Sequence, residues 1–220
     1  MSSHVMQPDA SSSPLGDCGP PAQPAFPILT LDESRLTPAL GYVFRRSWLY
    51  PHESLISILW KFEMGNSLTG VVVARTMGLD VDPYEGIVPR QGLVDVVRLQ
   101  VSLGLPARLL RAALMEPVGR RRYSDTFRYC RHCLARRYHS VVHQLEKLDL
   151  CPAHRCKLET KCWRCGRETP YRVNVQLLEA RFLCAHCNSG RGTRWHPDNA
   201  KPMEREYRRA FARRYLDYCL

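Results

Sequence analysis

Apolar residues recur at helical spacing over Leu55, Ile56, Leu59, Trp60 and Phe62. The pattern predicts an amphipathic helix that starts near Pro51 and stops at Gly65-Asn66. Pro51 suits a first turn, and Glu53 and Ser54 suit the positive end of the helix dipole. Ser67 is placed to cap a second helix, Leu68 to Met77, closed by Gly78. Asp80 to Pro89 carries two prolines and a glycine and reads as a loop. Leu93, Val96, Val97, Gln100 and Val101 mark a third helix to Leu103. Gly104-Leu105-Pro106 makes a turn, and Ala107 to Met115 a fourth helix with Pro106 at its first position. Two helices about a short Gly-containing turn fit an ordinary bundle or a helix-turn-helix. Only Arg108 and Arg111 are basic on the second, which favours bundle packing or protein contact over major-groove reading.

Further on, Leu134 to Leu150 is expected to form a short helix or strand with Leu145 and Leu148 inward. Val173-Asn174-Val175 alternates like a strand, and Phe182-Leu183 follows. Pro202 to Tyr218 forms a last helix. Met203, Tyr207, Phe211, Tyr215 and Tyr218 lie near one face, and Arg205, Arg208, Arg209, Arg213 and Arg214 populate the others. That stripe has three readings: phosphate contact with stacking tyrosines, a partner helix, or a core stripe with a solvated basic back. Residues 1–37 are rich in Ser, Pro, Ala and Gly and cannot offset their ordering entropy, so a disordered tail is expected there. The domain reading is a tail over 1–37, a helical domain over 38–119, a double zinc-binding region over 120–200 and a basic helix over 201–220. The fold class is mainly α with small zinc-stabilised modules.

Charge divides the 220 residues unevenly. Residues 1–119 hold nine Lys/Arg and eleven Asp/Glu, whereas 120–220 hold twenty-three and ten. The second half carries +13 before any thiolate is counted, which suits a polyanion, most often nucleic acid. No apolar run approaches the roughly 20 residues of a membrane span. The first thirty residues lack a signal-peptide apolar core, so a cytoplasmic protein is expected.

The chemistry lies in four close pairs among ten cysteines: Cys130 with Cys133, Cys151 with His154, Cys162 with Cys165, and Cys184 with Cys187. Two intervening residues let a turn aim two side chains at one ion, and zinc takes four such ligands. Four pairs make two closed sites, and two zinc ions per chain are expected. Sequential pairing joins Cys130, Cys133, Cys151 and His154, then Cys162, Cys165, Cys184 and Cys187. An interleaved cross-brace is the alternative. Cys18, Cys156 and Cys219 are left as free thiols, and His132 and His186 as exposed turn residues. Neither site keeps the open position that catalytic zinc needs. The chain also lacks a deaminase His-x-Glu, a His-Glu-x-x-His (position 56 is Ile), a phosphate-binding Gly-x-x-x-x-Gly-Lys loop and a carboxylate set for two-metal cleavage. No enzyme is expected.

The run Tyr129-Cys130-Arg131-His132-Cys133-Leu134, then Gln144-Leu145, Cys151-Pro152-Ala153-His154, Leu158 and Cys162-Trp163-Arg164-Cys165-Gly166, resembles the zinc region of the TniQ family of transposition proteins, which includes the TnsD group. Pro51-His52-Glu53-Ser54-Leu55 with Ser57 and Leu59 is similar to that family's N-terminal P-x-E-S-x-x-S signature. Leu103-Gly104-Leu105-Pro106-Ala107-Arg108-Leu109 resembles the segment before the zinc region. The three matches come in the family's order over about residues 40–190. His143 stands where the family often has Trp, and Glu146 near its usual Pro. The long C-terminal target-recognition region of the TnsD type has no counterpart in these residues.

The resemblance implies a non-enzymatic adaptor that links target DNA or a targeting complex to an AAA+ ATPase and its transposase; a homodimer is compatible with it. A zinc-binding transcription regulator is the alternative. Arg120, Arg121, Arg122, Arg136, Arg137, Arg208, Arg209 and Arg213 are the candidate phosphate contacts. For the run Arg120 to Arg122, a solvated linker is as open a reading as phosphate contact.

Overall fold

The computed structural model describes residues 42–191 and 203–219, with side chains as far as Arg214 in the second stretch. The expected tail over 1–37, with Cys18, lies outside the described residues. Seven helices order the described chain: α1 (Leu55–Asn66), α2 (Gly70–Arg75), α3 (Val96–Leu103), α4 (Ala107–Ala112), α5 (Arg131–Leu134), α6 (Val175–Glu179) and α7 (Arg205–Cys219). Short 3-10 turns occupy Arg46–Trp48 and Val141–Gln144. Among the described residues no sheet forms; extended segments meet only in isolated bridges such as Ile87–Val173 and Tyr129–Glu159. The molecule is mainly helical, as the periodicity implied.

α1 is the central rod. Ser54 caps it, its side chain accepting from the Ser57 amide, and Ser67 closes it in the left-handed region. Every residue from Leu55 to Glu63 is buried, so this helix is enclosed on all sides. Its polar members are therefore paired inside. Ser57 Oγ donates to Glu53 Oε1 at 2.6 Å, and Lys61 Nζ lies 2.5 Å from the same carboxylate and 2.7 Å from the Trp48 carbonyl. Burial raises the Glu53 carboxyl and lowers the Lys61 amine, each opposed by the charge of the other.

The shorter helices end by local chemistry. Thr69, Asp95 and Asn174 cap α2, α3 and α6 through their side chains, and Gly104 closes α3 at a φ of 64°. The second helix thus starts at Gly70, two residues later than Leu68, because Thr69 and not Ser67 caps it. α4 stops at Ala112, short of Met115. Val173-Asn174-Val175 is not a strand: Val173 makes one bridge, Asn174 is a cap and Val175 opens α6. Between Leu134 and Leu150 the chain forms only the 3-10 turn, with Leu145 and Leu148 buried.

One core spans the charge boundary near residue 119. Trp60 of α1 donates its indole N–H to the Leu177 carbonyl at 2.8 Å. Its ring lies 4.5 Å from Phe182 and 6.0 Å from Phe127. Loop 138–140 is sewn to the start of α1. The Ser54 amide donates to the His139 carbonyl at 2.8 Å, Tyr138 OH to the Pro51 carbonyl at 2.7 Å, and Ser140 Oγ to the His52 carbonyl at 2.8 Å. His139 Nδ1 sits 2.7 Å from Ser54 Oγ and its Nε2 2.8 Å from the Arg128 carbonyl. The Glu53, Ser54 and Ser57 signature is consequently buried. It had been expected to present a partner-binding face; instead it clamps the helical part to the cysteine-rich part.

Gly86 is needed at one such crossing. Its φ is +70°, and a Cβ there would lie 2.5 Å from the Val173 carbonyl oxygen, which no L-residue tolerates.

Candidate metal centre

Three of the four cysteine pairs share one backbone design. At Cys151, Cys162 and Cys184, the cysteine N–H donates to the carbonyl five residues on: Cys151 to Cys156 at 2.8 Å, Cys162 to Arg167 at 3.0 Å, Cys184 to Ser189 at 2.9 Å. The amide four residues on returns to the cysteine carbonyl, from Arg155, Gly166 and Asn188 at 2.8–2.9 Å. Those three residues have positive φ, 56°, 70° and 52°. A bridge closes each loop: Leu150–Lys157, Lys161–Glu168 and Leu183–Gly190. Each unit is a minimal hairpin that turns two donors toward one point. The first pair is built differently. Cys130 precedes α5 and Cys133 lies within it, with the Leu134 amide bonded to the Cys130 carbonyl at 3.0 Å.

These units bring the donors together sequentially, not interleaved. Cys130, Cys133, Cys151 and His154 form one group and Cys162, Cys165, Cys184 and Cys187 the other, the donor atoms of each within 4.8 Å of one another. The printed edges test the fit to a metal. A tetrahedron with metal–sulfur bonds of about 2.3 Å has sulfur–sulfur edges of about 3.8 Å. Cys133–Cys151 measures 3.7 Å, Cys162–Cys187 3.8 Å and Cys165–Cys184 3.7 Å. His154 Nδ1 stands 3.4, 3.3 and 3.6 Å from the sulfurs of Cys130, Cys133 and Cys151. Both groups can therefore hold one ion each in closed four-donor coordination.

The surroundings prepare the sulfurs for negative charge. The His154 amide points at Cys151 Sγ from 3.4 Å and the His186 amide at Cys184 Sγ from 3.5 Å. Ser189 Oγ lies 3.0 Å from Cys187 Sγ and 3.4 Å from Cys162 Sγ. Burial opposes ionisation of Cys162, yet hydrogen bonds from Ser189 and the backbone bring it down to about 6. Thiols of Cys130 and Cys133 donating to Cys151 lower it far below the usual range, while burial pushes Cys133 well up. One sulfur per site is thus readied as a thiolate, and a metal would displace the remaining thiol protons.

Several supporting residues escaped the sequence reading. His143, buried, takes the Ser140 amide on Nδ1 at 3.4 Å and holds Nε2 3.8 Å from Cys151 Sγ. A ligand's neighbour of this kind fixes the ligand's orientation. Cys156 does have a neighbour, since its sulfur lies 3.4 Å from Cys130 Sγ. His186 is partly covered and sits 2.9 Å from the Glu168 carbonyl, and His132 is exposed, as expected. No spacing rule marks Ser189 or His143, because their roles follow from where the loops close.

α7 covers the first group. Tyr207 lies 4.4 Å from the His154 ring, and Phe211 lies 5.4 Å from His143 and 5.1 Å from Tyr138. Met203 and Phe211 are buried. Of the three readings of the stripe, core packing describes these residues, and Tyr207 is engaged; the side chains of Tyr215, Tyr218 and Cys219 lie outside the described residues.

The candidate phosphate contacts occupy three places. Arg120 and Arg122 are exposed beside Arg90 and Lys147, with Arg121 ion-paired to Glu116 at 3.4 Å. Arg136 stacks on Tyr207 at 5.6 Å and, with Arg137, lines a crevice at Lys61. Arg209 and Arg213 are exposed on α7 alongside Arg205, and Arg208 is half-buried.

Fold and site define a class: a mainly helical, sheet-free protein with two four-donor cysteine and histidine clusters suited to metal. Comparison with protein-family models and with curated proteins yields no match. Among the described residues no helix is long and apolar enough to cross a membrane.

Proposed function

We propose that this protein is a non-enzymatic, zinc-binding adaptor of DNA transposition, of the kind its resemblance to TniQ proteins implies. The observation that carries the reading is the pair of clusters, each complete with four protein donors and set in the basic half of the chain. A soft tetrahedral donor set of three sulfurs and a nitrogen, or of four sulfurs, suits zinc. Filled by protein, such sites offer no position to a substrate. Zinc then serves to fix short loops that lack the apolar area to fix themselves.

Basic residues on the fixed loops contact the backbone of target DNA. The buried Pro51 to Ser57 signature holds the helical part in register with them. The AAA+ ATPase and transposase supply nucleotide turnover and strand chemistry, and their place here rests on the motif resemblance alone. The regulator reading has less support: α4, the would-be recognition helix, spans six residues with two arginines, too little to read a major groove.

The test is affinity purification of the full-length protein co-expressed with an AAA+ ATPase encoded beside it, with metal analysis of the eluate. Two zinc ions per chain and co-eluting ATPase are expected. A zinc-loaded protein that leaves the ATPase behind and footprints a palindromic operator would move the assignment to the regulator.

A further inference from the structure

An open groove of about 830 Å³ runs between the loop 117–123 and the segment 145–147. Its lining includes five cations, Arg90, Arg120, Arg121, Arg122 and Lys147, and one carboxylate, Glu146. Arg121 is directed to Glu116 at 3.4 Å, and Arg90 to the Glu116 carbonyl at 3.0 Å. Arg120, Arg122 and Lys147 are exposed. The groove is not wholly polar. Leu145 forms part of its floor, Tyr123 lies beneath the Arg90 guanidinium at 5.8 Å, and Val118 stands at the rim.

Val118 is 85% exposed, the most exposed of the large apolar side chains. Its position follows from the turn. The Arg120 amide closes on the Pro117 carbonyl at 3.5 Å, and Gly119 holds a φ of +97°. That is the third-position glycine of a type II turn, which places residue 118 at the outer corner. A linker that merely connected two halves would gain nothing from an apolar side chain there.

We infer that this groove binds a single nucleic-acid strand, with unstacked bases against Val118, Leu145 and Tyr123 and the phosphodiester backbone along Arg120, Arg122 and Lys147. The inference rests on the nucleic-acid reading above and narrows it. In a duplex the bases are stacked inward and only phosphates reach a concave surface, so the apolar floor contributes nothing to duplex binding. An unpaired strand uses both the cations and the floor. The strand's chemistry, not its sequence, is recognised, since no buried polar side chain in the groove is free to read base edges.

The test uses the full-length, metal-replete protein with a fluorescent single-stranded oligonucleotide and its duplex, followed by anisotropy at one salt concentration. A single-strand preference of about tenfold or more is expected, the worth of about one stacked base. The variant Arg120→Glu/Arg122→Glu/Lys147→Glu should lose at least about thirtyfold for the single strand, the weakening expected when several phosphate contacts are reversed. Arg205→Glu/Arg209→Glu/Arg213→Glu on α7 should lose less than about threefold, because exposed charges more than a Debye length away are screened. Val118→Ser should weaken single-strand binding about threefold and leave duplex binding unchanged. Metal content and circular dichroism certify that each variant folds. Tighter duplex binding, or equal losses from the two triple variants, would overturn the groove while leaving nucleic-acid contact intact. A wild-type protein that binds neither probe would overturn the nucleic-acid reading itself.

Discussion

The surroundings of α1 and the two metal centres hold themselves together by different physics. Around α1, nine consecutive buried residues and the rings of Trp60 and Phe62 exclude water, and helix caps finish each element. Around the cysteines no strand forms among the described residues, and hairpins close on single bridges. Such loops cannot offset their ordering entropy by area alone. What replaces the missing area is a set of convergent sulfurs and the amides and hydroxyl that face them. Yet the two regions are not independent, because Trp60, Phe127, Phe182 and the His139 clamp belong to both. A molecule divided at residue 119 would split that core, so separate fragments cannot report on the two halves.

The largest test removes the metal contribution. Cys130→Ser and Cys162→Ser should each drop metal from two ions per chain to one and cost a large part of the roughly 10–16 kcal/mol that structural zinc supplies. Far-UV and near-UV circular dichroism should be lost together, since the core is shared. Helices that survive with a native near-UV signal would prove the regions separable. Cys156→Ser should keep both ions, being outside each four-donor group, although it touches Cys130.

Next in size is the joint itself. Trp60→Ala should cost about 3–5 kcal/mol in urea unfolding, as it empties the seam and orphans the Leu177 carbonyl. Trp163→Ala is the control within a metal hairpin. Its ring is 59% exposed and its indole donates to the Gly190 carbonyl at 2.7 Å, so the loss should stay near 1 kcal/mol, the net worth of one hydrogen bond. Equal costs would mean that the seam carries no special share of the stability.

The smallest effect is a pH dependence seated in α1. Burial raises the Glu63 carboxyl to about 7, against the pull of Arg181, whose Nε lies 3.4 Å away. The folded state then holds this proton more tightly than the unfolded chain. Its contribution is fully present below about pH 4.5 and is lost as pH rises through 7. Metal ligation changes in the opposite direction, so the informative quantity is the difference between wild type and Glu63→Gln under saturating metal. The variant should gain roughly 2–3 kcal/mol relative to wild type between pH 4.5 and 8. A difference that stays flat with pH would show that Arg181 neutralises the carboxylate fully.

The sequence by itself determined the donors and the rods. Two-residue spacing dictates which cysteines point together, because a turn of that length has few conformations. Helical period and capping residues likewise place α1, α3 and α4 to within a few residues. Sequential against interleaved pairing was left open by spacing alone, since both leave short loops; the three repeated hairpins and α5 decided it. Asn174 could not be read as a cap until α6 stood behind it, and Val173 and Val175 alternate equally well in a strand. The signature around Glu53 and Ser54 spoke of conserved-type chemistry but not of its direction, and only the fold turned it inward onto His139. The same holds for Ser189, His143 and the groove at Arg120. Their meaning depends on residues twenty or more positions away, and such contacts exist only after the chain has closed on itself.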